Sequence, residues 1–373
     1  MSTVVDDPAA SGRKSKRDYP IIDSDVHPMM NSPKQLAPYL SAAWRERLNI
    51  GEYDQPTRRV PRGWYFPGQI DGNRLDAFPE GGGNAGSDQG LMVRQVFEEA
   101  GIGIATLIAN QTLFLGGVAS ADLAATVASA YNDWIVNEWL TYDDRFRGSI
   151  AVTPQDPARA AAEIRRLADH PQMTQVFIGT PTTHRLGNPF FDPVWDAAQE
   201  VGLPLVWHPG GGTPGGGIGG PPTSYIEGFA SLTFTAQAQF GSVITEGVFD
   251  KFPKVKFALI EGGILWVLST IWRMRRAWLA NRDELPWMKR APEDYLREHI
   301  RISTQPMEEP AGPASDVYEA LKVLNADEWL IYASDYPHWD FDNPEVALRG
   351  FPPDWRRKIM YENPKAFYTR LEV

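Results

Sequence analysis

The stretch IIDSDVHP, residues 21–28, runs from apolar residues into two acids and an imidazole, and YASDYPHWD at 332–340 does the same near the other end of the chain. Side chains alternate along a strand, so Asp23, Asp25 and His27 share one face, and Asp25 and His27 at its end are placed to hold a divalent cation. The first stretch belongs to one of eight short apolar runs: PIIDSDV (20–26), GIATLIA (103–109), GSIAV (148–152), TQVFI (174–178), LPLVW (203–207), KVKFALI (254–260), HIRIS (299–303) and WLIYAS (329–334). Between them lie segments with apolar residues recurring at three and four, such as ADLAATVASAYNDWIVNEWL (121–140), ARAAAEIRRLADH (158–170), DPVWDAAQEVG (192–202) and ILWVLSTIWRMRRAWL (264–279). Strands lacking polar alternation are covered on the outside, as parallel strands are, so eight strand–helix units predict an α/β fold, the closed (β/α)8 TIM barrel. A doubly wound open sheet is the alternative architecture.

A barrel of this kind needs about 250 residues, and the chain has 373. The surplus predicts lid-like insertions after strands 1 and 5 and around strand 7, at about 50–90, 209–224 and 282–316. Residues 19–373 read as one domain behind a disordered tail, residues 1–18, which lacks the apolar centre of a signal peptide. No apolar stretch is long enough for a membrane span, so a cytoplasmic protein with no membrane partner is expected. The net charge of −11 argues against a nucleic-acid surface, which needs clustered cations. With no cysteine, thiolate metal sites and cysteine nucleophiles are excluded.

Barrel chemistry sits at the C-terminal ends of strands, and four runs end in groups able to bind a metal: Asp25 and His27, His208 in LPLVWHPGG, Glu261 in ALIEGG, and Asp335 in YASDYPH. Singly, each has a blander reading: Asp25 or Asp23 as an acceptor of backbone hydrogen bonds, the histidines as core residues, Asp335 as a turn or cap. Their coincidence favours one centre. Asp23, two residues deeper, is assigned the backbone role. The paired glycines after Glu261 are read as opening a helix whose dipole stabilises the ionised acid, which can ligate or transfer protons. His338, three residues beyond Asp335, is a hydrogen-bonding partner of a ligand, a substrate contact or simply an exposed loop histidine, and His170, His184 and His299 are structural. Arg58, Arg59 and Arg62 on the expected lid are candidate clamps for a substrate carboxylate; Arg273, Arg275 and Arg276 read as a solvated face. Gly215, Gly217 and Gly220 have dinucleotide-loop spacing, but Pro221 and Pro222 follow where a helix is required.

These motifs resemble the amidohydrolase superfamily, in the branch that contains aminocarboxymuconate-semialdehyde decarboxylase and aromatic acid decarboxylases. Further likenesses are AYNDWI (130–135), FDPVWDAAQEVGLP (191–204), GVFDKFPKVKFALIEGG (247–263) and YENPKAFY (361–368). The resemblance implies one metal ion held by Asp25, His27, His208 and Asp335. Asp25 stands where many relatives have histidine, which makes the site harder and suits Mn²⁺ as well as Zn²⁺. Glu261 stands where the decarboxylases have a catalytic histidine, and a carboxylate replaces it only with a pKa raised by burial or by Asp335. The expected activity is decarboxylation of a small cyclic or unsaturated carboxylic acid, with Glu261, Asp335 and His338 as catalytic residues. Hydrolysis of an amide, ester, lactone or activated C–C bond by metal-activated water is the alternative, and a metal-free ligand-binding barrel a third. A homodimer is expected, with Trp272, Trp278 and Trp287 supplying apolar surface, although buried core or pocket lining accounts for tryptophan equally well.

Overall fold

The structure, a computed structural model, describes residues 17–48, 50, 69–70, 72–210 and 224–371. Eight parallel strands follow one another around a barrel: β1 Ile21–Val26, β2 Ile102–Leu107, β3 Phe146–Ala151, β4 Met173–Ile178, β5 Leu205–Trp207, β6 Phe257–Leu259, β7 Ile300–Ser303 and β8 Leu330–Ile331. The ends of the sheet meet. Ser24 N donates to Tyr332 O at 3.0 Å, His27 N to Tyr336 O at 2.7 Å, and Asp335 N to Asp25 O at 3.1 Å. These bonds close the (β/α)8 barrel and rule out an open sheet, and the seam they form is built from the stretches 21–28 and 332–340.

Local chemistry sets the elements. Asp156 accepts from Arg159 N at 3.1 Å and Pro157 occupies the first position of helix Pro157–Arg166. Gly202, at φ 70°, ends helix Asp192–Val201 before β5. Ile22, Ile104, Phe177, Val206, Ala258 and Ile331 come from six different strands yet form one apolar cluster, which is geometrically possible only inside the barrel. A larger apolar layer lies between the strands and the surrounding helices. Two of the sequence likenesses prove to be fastenings. Asn132 of AYNDWI clasps Ala151 at the end of β3, accepting from its N–H at 2.8 Å and donating to its carbonyl at 2.9 Å. Asn363 of YENPKAFY donates to the carbonyls of Asp327 and Leu330 at 2.8 and 2.7 Å, holding β8.

The segment after β1 carries a short hairpin, Gln69–Ile70 with Asn73–Arg74, that reaches the loop after β8: Arg74 N donates to Pro337 O at 3.0 Å and Trp339 N to Gly72 O at 2.9 Å. Gly86 packs so closely there that a Cβ would lie 2.6 Å from His27 O. Residues 51–68, 71 and 211–223, the core of two expected insertions, and residues 1–16 of the expected tail lie outside the described residues. The region 282–316 contains helix Pro292–His299, which leads directly into β7. Among the described residues, no helix is long and apolar enough to cross a membrane.

A charged clasp joins the helices outside β3 and β4. The Glu163 carboxylate, 9% exposed, accepts from Arg166, Asn132 and Ser129 at 2.7–2.8 Å. Burial alone would raise its pKa, but the bonds from Arg166, Asn132 and Ser129 outweigh burial and hold it below the usual value of 4.5. A depressed acid stabilises the fold above its unfolded pKa, and that stabilisation is lost as pH falls through the folded value. Glu163→Gln should therefore cost about 2 kcal/mol at pH 7, with melting curves of variant and wild type converging as pH drops below 4. A gap that persists unchanged to pH 3 would contradict the assignment.

Candidate metal centre and active site

The barrel seam places Asp25 and His27 beside Asp335, and β5 and β6 bring His208 and Glu261 to the same point. His27 Nε2 lies 3.2 Å from Asp25 Oδ1 and 3.0 Å from Asp335 Oδ1. His208 Nε2 lies 3.2 Å from Asp25 Oδ2 and 3.0 Å from Glu261 Oε2. Asp25, His27, His208 and Asp335 are wholly buried. All the expected ligands converge, and Asp23 takes its expected separate part, accepting from Asp25 N at 3.1 Å and Ser334 N at 2.9 Å.

The orientation of the imidazoles is informative. His27 Nδ1 is 2.9 Å from Ile108 O and His208 Nδ1 is 2.6 Å from Pro209 O, so in each ring Nδ1 carries a hydrogen and donates it to a carbonyl. Each Nε2 then turns toward carboxylate oxygens. His27 Nε2 and Asp25 Oδ1, though adjacent, make no hydrogen bond. Electron pairs facing one another in a dry site repel unless a proton or a cation lies between them, and a donor set of two imidazoles and several carboxylates suits Mn²⁺ or Zn²⁺. Donor atoms of Asp25, His27 and His208 lie within 4.8 Å of one another, as do those of His27, Glu261, Asp335 and His338, and His27 is common to both groups. The residues fit a divalent ion.

Without such an ion, protons do the balancing. Burial pushes the Asp25 pKa up, but the imidazoles of His27 and His208 pull it well below the usual carboxylate range. Burial opposes charge on His27, yet Asp25 and Asp335 raise its pKa well above the ordinary value. Asp335 is likewise raised by burial and, more strongly, lowered by His338 and His27.

Glu261 departs from one expectation. The helix after it begins at Trp266, and the acid that meets its first amides is Glu308, whose Oε1 accepts from Ile264 N and Leu265 N, both at 2.8 Å. Glu308, not Glu261, therefore meets the positive end of the helix. Burial, then Asp335, Asp340 and Asp25, push its pKa well above 4.5, which is the other condition set by the sequence. Glu261 and Asp335 both adopt left-handed backbone conformations, φ 54° and 61°, at the strand ends.

His338 Nδ1 lies 2.5 Å from Asp335 Oδ1, and its Nε2 is 3.0 Å from Asn110 Nδ2. Two polar residues at the site, neither titratable, carry no signal in a search for titratable strand ends: Asn110, and Gln305 just past β7, whose Nε2 donates to Asp335 Oδ2 at 2.9 Å and to Asp340 Oδ2 at 3.0 Å. Asp340 was legible as the last letter of YASDYPHWD. Burial, followed by repulsion from Asp335, raises its pKa to about 7. His299 is structural as expected, stacked on Phe249 with ring centroids 4.6 Å apart. Arg58, Arg59 and Arg62 lie outside the described residues. Arg273, Arg275 and Arg276 are exposed, with Arg275 paired to Glu293 at 3.1 Å.

The profile of the family described as Amidohydrolase matches residues 22–370. The chain is 26% identical over 253 residues, 63% of its length and 72% of the relative, to gamma-resorcylate decarboxylase of Polaromonas sp. strain JS666. Among solved structures it resembles an amidohydrolase from Mycobacterium avium subsp. paratuberculosis, with a TM-score of 0.68 at 20% identity over 94% of this chain and 99% of that one. It also resembles 5-carboxyvanillate decarboxylase of Novosphingobium aromaticivorans, complexed with manganese and a nitrobenzoic acid, with a TM-score of 0.64 at 21% identity, covering 94% and 96%. At these identities the structural likeness establishes the fold.

Adding excess Mn²⁺ should raise the melting temperature of the wild-type protein, since an ion at 100 times its Kd contributes about 2.7 kcal/mol. In His208→Ala the Mn²⁺-dependent rise should largely vanish. An equal rise in both proteins would place the ion elsewhere.

Proposed function

Because this chain belongs to the amidohydrolase family, we propose that it is a divalent-metal-dependent decarboxylase of a small aromatic or otherwise unsaturated cyclic carboxylic acid. The observation that carries the reading is the meeting, in one buried cluster, of a cation-ready donor set with an acid, Glu261, whose pKa burial and neighbouring carboxylates raise well above the ordinary value. Decarboxylases among the relatives support it. In this reading Asp25, His27, His208 and Asp335 hold the metal, and Arg58, Arg59 and Arg62 clamp the remote part of the substrate. A bound Mn²⁺ or Zn²⁺ supplies Lewis-acid stabilisation of negative charge on the substrate oxygens.

Loss of CO₂ breaks the bond between the carboxyl group and a ring carbon, leaves the electron pair on that carbon, and requires one proton to replace the departing group. Glu261, pushed up by burial and by Asp335, is the group that delivers this proton. His338, bonded to Asp335 and 18% exposed through its side chain, connects the buried acids to the mouth of the site and returns a proton from solvent. The surrounding carboxylates leave the described part of the site anionic, so attraction for an acidic substrate falls to the cation and the arginines.

Trp278 and Trp287 also make contacts within the chain, and Trp287 stays 43% exposed. Arg282 lies over the ring of Trp278 at 4.1 Å, and Trp287 Nε1 donates to Thr245 O at 2.8 Å. Trp272, Leu279 and Trp287, 49%, 52% and 43% exposed, supply apolar surface for a homodimer.

The test is turnover of aromatic acids with product analysis in ¹⁸O-labelled water. Release of CO₂ with no label in the organic product is expected, whereas labelled product would establish hydrolysis. Glu261→Gln should lose at least about a hundredfold in kcat, and undiminished turnover would remove Glu261 from the reaction. For the dimer, sedimentation of Trp272→Glu should show a monomer where the wild type pairs.

A further inference from the structure

Strand β7 delivers no histidine or acid to the site, yet its end touches both acids that the reaction would use. Glu261 N donates to Ser303 Oγ at 3.0 Å, and Ser303 Oγ donates to Gln305 O at 2.9 Å. The Gln305 side chain then reaches forward, its Nε2 lying 2.9 Å from Asp335 Oδ2 and 3.0 Å from Asp340 Oδ2. Gln305 is wholly buried. Ser303 and Gln305 therefore form a strut between the ends of β6 and β8.

We propose that Gln305 is a positioning residue, whose amide grips Oδ2 of Asp335 and so presents Oδ1 to His27 and to the metal. The two oxygens of Asp335 have different surroundings. Oδ2 meets the Gln305 amide, while Oδ1 lies 3.0 Å from His27 Nε2 and 2.5 Å from His338 Nδ1. Gln305 Nε2 bonds oxygens of both Asp335 and Asp340, and a flipped amide would set Oε1 against the ionised Asp335 carboxylate, so the amide orientation is fixed. Oε1 has no hydrogen-bond partner among the described residues, an unfavourable arrangement in a buried place. The amide is thus held for its donors. Asp335 sits at a left-handed backbone position in a loop, where its side-chain direction depends on such tethers. A neutral double donor also holds Asp335 and Asp340 near each other without adding a positive charge that would compete with the cation. Residues that orient a metal ligand in this way commonly govern affinity as strongly as some ligands do.

The inference rests on the metal-centre reading of the same cluster, and the experiment separates the two. Mn²⁺ is titrated into metal-free wild type, Gln305→Met and Gln305→Asn, with free and bound ion followed by electron paramagnetic resonance. Methionine keeps the length and removes the donors; asparagine keeps an amide but shortens its reach. Both should bind Mn²⁺ about ten- to a hundredfold more weakly, with an altered spectrum of the bound ion, in variants whose circular dichroism shows them folded at the titration temperature. Wild type that fails to bind one Mn²⁺ would overturn the metal reading itself. Wild type that binds, with either folded variant matching its affinity and spectrum, would overturn the role of Gln305 alone.

Discussion

Everything at the site depends on the seam where the last strand of the barrel meets the first. Backbone bonds from Ser24 and His27 to Tyr332 and Tyr336, and from Asp335 back to Asp25, lock together two segments some 300 residues apart. Loop closure over that distance carries an entropic cost that grows slowly with length, and the intervening strands meet much of it by pairing in sequence order. The seam does two things at once. It closes the apolar interior, and it sets Asp25 and His27 opposite Asp335 at the C-terminal rim.

The consequence is an electrostatic conflict that the fold alone does not settle. Asp25, Glu261, Asp335 and Asp340 crowd into a buried space with two imidazoles whose Nδ1 hydrogens are spent on backbone carbonyls. Like charges at this proximity in a dry site require protons or a cation. The chain meets part of the requirement with neutral donors, the Gln305 amide above all, and leaves the remainder in a form that a divalent ion satisfies. The same crowding that calls for a metal also raises the pKa of Glu261, so the metal site and the proposed proton donor share one physical cause.

Much of this was legible in the sequence because barrel chemistry has a fixed address. Asp25, His27, His208, Glu261 and Asp335 all end apolar runs, and the strand ends met where the barrel geometry requires. Gln305 was not found, since an amide beyond β7 gives no titratable signal and its importance lies in which oxygen it touches. Glu261 differs in one respect: two glycines suggest a helix start, but two further residues, Ile264 and Leu265, precede the helix at Trp266, and Glu308 arrives from elsewhere to cap it. Capping by a distant residue has no local pattern. The likenesses around Asn132 and Asn363 were visible as motifs, but their purpose as strand clasps depends on tertiary contacts.

The central claim is that one divalent ion is shared by ligands from β1, β5 and β8. Anomalous diffraction at the manganese edge from crystals grown with Mn²⁺ tests it most directly. The account predicts one strong peak bounded by Asp25, His27, His208 and Asp335. A peak that leaves out His208 or Asp335, or a fully loaded crystal with no peak among these four, would contradict it.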